Sequence, residues 1–137
     1  MIGYQFSGEN DSYYDDNWLL FELYFQIDGN ASSRVDPLFL TWECLDFSRW
    51  FFDFPRLPTG SKIFNLENTF YFFKLKENST KTKKNLRIQL DKSIVPFPID
   101  SPNMIFDFHI GNSDCLEISD SFQQIVNQFP IRSMNKN

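Results

Sequence analysis

From residue 17 to residue 27 the chain reads Asn-Trp-Leu-Leu-Phe-Glu-Leu-Tyr-Phe-Gln-Ile, and the odd positions Leu19, Phe21, Leu23, Phe25 and Ile27 are all apolar. The even positions Trp18, Leu20, Glu22, Tyr24 and Gln26 are mixed. Side chains on a strand alternate between two faces, so this stretch can bury one face and leave the other partly wet. A helix, with its longer period, would smear the same residues around its axis. Asp28-Gly29-Asn30 follows at once as a turn, and residues 34–40 return as the partner strand, with Pro37 marking an edge or a bulge. An antiparallel hairpin is thus set near the N-terminus, and the rest of the chain must cover its apolar face.

The cover comes next. Thr41 is suited to cap a helix, with Glu43 in the first turn facing the positive end of the dipole. Cys44, Phe47, Trp50, Phe51 and Phe54 fall on one helical stripe, Asp46, Arg49 and Asp53 lie off it, and Pro55 and Pro58 stop the run. The spacing therefore predicts a helix over about 41–54. Phe122, Ile125, Val126 and Phe129 repeat the pattern and predict a second helix over about 119–129, capped near Ser119 and ended by Pro130. Between the helices, residues 62–65, 69–76, 85–90 and 104–110 read as strands, and Ile2 to Phe6 as a short one. Lys81, Lys83 and Lys84 sit at the tip of the basic hairpin around 74–92.

Repeated strand-helix-strand units are absent, which excludes a doubly wound fold. The expectation is an α+β domain: a bent antiparallel β-sheet or β-sandwich-like arrangement of about six to eight strands, with one central and one C-terminal helix, the latter at the sheet's edge. Residues 1–132 form one domain in this reading, and 133–137 a polar tail. With 18% of its residues aromatic, the chain can fill such a core with large rings.

Charge is unevenly spread. Residues 1–54 hold ten Asp or Glu against two Arg, a balance of −8, whereas 55–98 stand at +6 and 99–137 at −3. Such a division bears on the partner surface more than on the fold. Nucleic acid is disfavoured as a partner, because the acidic N-terminal part would repel phosphates. A membrane partner is equally disfavoured: no run approaches the ~20 apolar residues of a spanning helix, and the start does not resemble a signal peptide, so the expected location is cytoplasmic.

No reaction chemistry assembles readily. His109 is the only histidine and falls on the wetter side of its strand. Cys44 and Cys115 read as reduced, buried thiols. One histidine and two distant cysteines make no zinc set, and the five glycines form no phosphate loop, so neither metal nor cofactor is expected. The remaining candidate is the loop before the first long strand. There Glu9, Asp11, Asp15 and Asp16 stand beside Tyr13 and Tyr14. Paired carboxylates of a glycosidase, a solvated loop and a protein-docking surface are all open for it; tyrosine beside carboxylates favours docking.

Two stretches resemble a known bacterial family. "YDDNWL", Tyr14 to Leu19, and "DPLFLTWECLDFSRWF", Asp36 to Phe51, are similar to signatures of the WapI-like immunity proteins of wall-associated and Rhs-type polymorphic toxin systems. "FQQIVNQFPIR", Phe122 to Arg132, is similar to that family's closing helix and tail. Asp16 stands where the family pattern more often has Ala, and 55–98 carries no matching motif. The resemblance implies a small cytoplasmic protein, not an enzyme, that binds a cognate toxin domain and neutralises it; a nuclease with a basic cleft would suit the acidic end. On the family signature, Tyr14, Asn17, Trp18, Asp36, Thr41, Trp42, Glu43 and Trp50 are expected to hold the fold. Glu9, Asp11, Tyr13, Asp15 and Asp16 are the candidate partner-binding residues. A β-rich domain binding carbohydrate or another ligand through Tyr13, Tyr14, Trp18, Asp15 and Asp16 is the competing reading.

Overall fold

In the computed structural model, which describes residues 3–5, 16–77 and 84–132, the N-terminal hairpin is formed by β2 (Trp18–Ile27) and β3 (Asn30–Leu40). Its connection is Asp28-Gly29, with φ of 50° and 80°. Two positive φ values in a two-residue loop make the hairpin turn whose twist matches the strands, and Gly adopts such a φ without steric cost. The turn sets Ile27 opposite Asn30, and that register sends the odd positions of β2 inward. Leu19, Phe21 and Phe25 are buried, and Leu23 and Ile27 pack against the core from its margin. At the far end the pairing slips between Leu19 and Leu20, leaving Leu38 as the extra residue beside Pro37. Pro37 therefore lies at a bulge and on an edge strand, where its missing N–H costs least. β1 (Gly3–Tyr4) completes this sheet by pairing with Leu20 and Leu19.

The second sheet is a four-stranded antiparallel meander of β4 (Lys62–Phe64), β5 (Phe70–Lys74), β6 (Lys84–Asp91) and β7 (Asn103–Ile110). The α+β expectation holds. The bent sheet is divided into a three-stranded and a four-stranded sheet, every pairing is antiparallel, and no barrel closes. Phe108 departs from the expected inward row of β7, being 45% exposed where the sheet opens.

α1 spans Thr41–Asp53. Thr41 is its first helical residue and not its cap: Leu40 takes the cap position, and the Glu43 carboxylate accepts the Leu40 N–H at 2.9 Å. The Thr41 hydroxyl is directed elsewhere, donating to the Asn17 carbonyl at 3.3 Å. The apolar stripe is buried as the spacing predicts, with Cys44, Phe47, Phe51 and Phe54 at 1% exposure or less and Trp50 half-buried. α2 spans Asn112–Gln128, seven residues longer at its start than the stripe suggested. Its apolar stripe runs back from Phe122 through Ile118 to the buried Cys115, and before Cys115 the start is marked by polar chemistry: the Asp114 carboxylate accepts the Gly111 N–H at 2.7 Å. Ser119, expected near the cap, lies inside the helix and buried. Its hydroxyl donates to the Ser48 carbonyl at 2.7 Å, and the Ser48 hydroxyl donates to the Ser119 carbonyl at 2.8 Å. α2 is thereby packed on α1, and its Phe122 ring lies 5.4 Å from that of Phe47.

Both sheets and both helices contribute to one core cluster. Phe39 of β3 sits at its centre, edge-to-face with Phe21, Phe47 and Phe70 at 4.9, 4.9 and 5.2 Å. Edge-to-face pairs set a ring's positive rim against a neighbour's negative face and contribute about 0.5–1.5 kcal/mol each beyond area burial.

Candidate functional site

The acidic loop is entered and left at one well-tied place. Gln5 donates its N–H to the Trp18 carbonyl at 2.8 Å, so the chain on either side of residues 6–15 is held together. Asn17 then binds the far end of the molecule: its amide donates to the Arg132 carbonyl at 3.0 Å, and its side-chain oxygen accepts the Arg132 N–H at 2.7 Å. The Arg132 guanidinium lies over the Tyr4 ring, 3.4 Å from its centroid, and the Tyr4 hydroxyl donates to the Pro130 carbonyl. Burial raises the Tyr4 pKa, partly offset by the Arg132 charge. Asn17 is fully buried and thus joins β2, the chain after α2 and, through its own carbonyl, α1.

Two further polar residues link the sheets. Glu43 is 8% exposed and accepts from Leu40 with one oxygen and from Leu66, at 2.7 Å, with the other. Burial raises its pKa, and those hydrogen bonds and its acidic neighbours shift it further in opposite directions. Asn65, 1% exposed, donates to the Leu38 carbonyl at 3.0 Å and accepts from the Thr69 and Phe70 N–H groups at 2.9 and 3.0 Å. The turn between β4 and β5 is thereby fastened to β3. Lys74, only 2% exposed, donates to the carbonyls of Phe54, Pro55 and Leu57 at 2.9, 3.3 and 2.6 Å, capping the negative end of α1 and its 3₁₀ extension. Asn65, Lys74 and Arg132 were not singled out by sequence reasoning. Lys74 carries a readable signal, since it shares the inward face of β5 with Phe70 and Phe72. Arg132 closes the family-like motif, yet its contacts with the Asn17 side chain and the Tyr4 ring lie at the other end of the chain, and the bond from Asn65 to the Leu38 carbonyl crosses 27 positions.

Of the candidate partner-binding residues, Glu9, Asp11, Tyr13 and Asp15 lie outside the described residues, as does Tyr14 of the signature. Asp16 is described and is 1% exposed, which corrects its placement among solvated loop carboxylates. A carboxylate so enclosed offers a docking partner no contact surface. Asp36 forms an ion pair with Arg34, whose guanidinium also donates to the Ser93 carbonyl. Trp18 and Trp42 are half-buried, and Trp50 packs on Phe51, Phe54 and Phe72.

Cys44 and Cys115 are free and buried, and burial pushes both thiols up, away from the reactive thiolate. His109 is exposed and contacts Asn85 through its ring nitrogen. Among the described residues, no three His, Cys, Asp or Glu side chains stand close enough to hold a metal ion. No helix among them is long and apolar enough to cross a membrane.

One cleft is predominantly apolar. A groove of about 390 Å³ opens between the two sheets, walled by Leu23, Phe25 and Ile27 of β2 and by Ile88, Phe106 and Phe108 of β6 and β7. Tyr24, 63% exposed, stands at its rim. Acidity borders it too: Glu22 and Asp28 flank the β2 wall, and the chain has no Lys or Arg before Arg34. The arrangement provides apolar contact and negative charge side by side.

Compared with known proteins, the chain is matched over residues 1–130 by the model of the immunity protein WapI-like family. No curated protein and no solved structure matches it.

Proposed function

The chain belongs to the immunity protein WapI-like family, and on that premise we propose that it is a non-catalytic inhibitor that binds a cognate toxin domain in the cytoplasm and blocks it. The family match carries this reading. Charge supports its electrostatic part: the first 33 residues hold Glu9, Asp11, Asp15, Asp16, Glu22 and Asp28 and no base. A toxin that acts on nucleic acid needs a basic cleft, and an acidic inhibitor is drawn to such a cleft quickly and held in a defined orientation. Glu9, Asp11 and Asp15, with Glu22 and Asp28, steer the encounter in this account, and Tyr13 serves as an anchor after docking. Expressing a candidate cognate toxin domain, with and without this chain, tests the reading. Restored growth and a saturable complex in titration calorimetry are the expected results. Unrelieved toxicity with no measurable heat of binding contradicts it.

A further inference from the structure

Among the described residues, the hydrogen bonds of β2 are completed along its whole length on one side only. β3 pairs with it from Trp18 to Ile27, whereas on the other side β1 reaches Leu19 and Leu20 and no further among the described residues. Successive residues of a strand direct their backbone groups to opposite neighbours. The Trp18 carbonyl accepts from Gln5 on the β1 side, so the even residues Glu22, Tyr24 and Gln26 direct their N–H and C=O groups to that same side. Beyond β1 these groups form an open strand edge, the ordinary template for pairing with another chain. The apolar groove lies along this part of β2, with Phe106 and Phe108 as its opposite wall.

Resting on the proposed toxin-binding role, we propose that this edge, from Glu22 to Ile27, receives an extended segment of the toxin as an added strand continuing where β1 stops. Backbone pairing fixes the segment along β2, and alternate apolar side chains lie in the groove against Phe25 and Phe106, two of its lining residues, whose rings touch at 6.2 Å between centroids. Charge complementarity selects the segment. Glu22 and Asp28 are exposed at the two ends of this edge and residues 16–33 hold no base, so the strand that fits has Lys or Arg at its outward positions. A segment of the same toxin that the acidic end attracts meets both demands.

Tyr24→Pro probes the edge alone, because the Tyr24 N–H points away from β3 and its loss leaves the β2–β3 pairing intact. The probe is the purified toxin domain that this chain neutralises in the growth assay above. Binding of that toxin to the unaltered chain is measured by calorimetry, and hydrogen exchange is followed at the Tyr24 and Gln26 amides. The expected results are slowed exchange at both amides in the complex and affinity weakened by about tenfold or more for Tyr24→Pro. Its circular dichroism should match that of the unaltered chain, and Tyr24→Ala, which keeps the N–H, should retain the slowed exchange. A tight complex with unchanged exchange at both amides overturns strand addition and leaves the inhibitory role standing. Absence of any complex overturns both. Slowed exchange that depends on the concentration of the chain alone would assign the edge to a second copy, and the proposal falls.

Discussion

The two sheets handle their polar groups in opposite ways. In the four-stranded sheet, β6 pairs with β7 from Lys84 to Asp91 and with β5 from Leu86 to Leu90, and the buried Lys74 directs its charge inward to helix-end carbonyls. In the three-stranded sheet, β2 is paired throughout on one side and, among the described residues, only from Trp18 to Leu20 on the other. Glu22 of β2 and Asp28 of its turn are exposed, and the Arg34–Asp36 pair lies on β3. Residues 1–54 stand at −8 and 55–98 at +6, so the sheet whose inner strand β6 is paired on both sides lies largely in the basic part of the chain. An inner strand paired on both sides and an inward charge stabilise a scaffold, while an inner strand paired on one side and an outward charge leave a surface able to meet a partner. The contrast separates what the fold needs from what recognition can use.

The contrast breaks first if the sheets do not share one core. Phe51 is fully buried against Phe54, Phe72 and Phe122, and Phe51→Ala should cost about 3–5 kcal/mol. Denaturant unfolding followed by tryptophan fluorescence and by circular dichroism should show one shifted transition. Two separated transitions would mean that the sheets are independent units.

Lys74→Met comes next. The substitution keeps the length of the side chain and removes the donor from the Phe54 and Leu57 carbonyls, with an expected loss of about 1–3 kcal/mol in the same assay. A neutral or stabilising result would show that the inward charge is not what holds the end of α1.

Glu43→Gln gives the smaller, pH-dependent effect. The folded pKa of Glu43 is raised by burial, so the folded state holds the proton more tightly than the unfolded chain does. The stability this contributes is fully present below the ordinary carboxylate value and is lost as pH rises through the raised one. Stability of the parent chain minus that of Glu43→Gln should therefore fall with rising pH across that window. A difference that stays level or rises with pH contradicts the assignment.

How much of this was legible in the sequence depends on where each partner lies. The β2–β3 hairpin and the α1 stripe were readable, because alternation, an Asp-Gly turn and helical spacing are local signals, and the α+β class follows from their order. The starts of the helices were not. Thr41 has the chemistry of a cap, yet its hydroxyl is taken by the Asn17 carbonyl, and Glu43 holds the Leu40 N–H instead. Ser119 has the chemistry of a cap, yet it lies on the buried stripe that Cys115 and Ile118 extend toward the start of α2, and it packs against Ser48. Asp16 was grouped with its acidic neighbours by sequence proximity, and its burial reflects tertiary placement that composition does not encode. Asn17 drew notice through the family signature, but the Arg132 backbone it binds lies 115 positions away.

The central claim is that the acidic end of the chain guides a basic toxin to its inhibitor. Its most direct test is stopped-flow association with the cognate toxin domain at low and at high salt, comparing the unaltered chain with a variant reversed at Glu9, Asp11 and Asp15. The account predicts association slowed by about tenfold or more at low salt, a difference that shrinks at high salt, and nearly unchanged dissociation. An association rate that is the same for both proteins at low salt would contradict it.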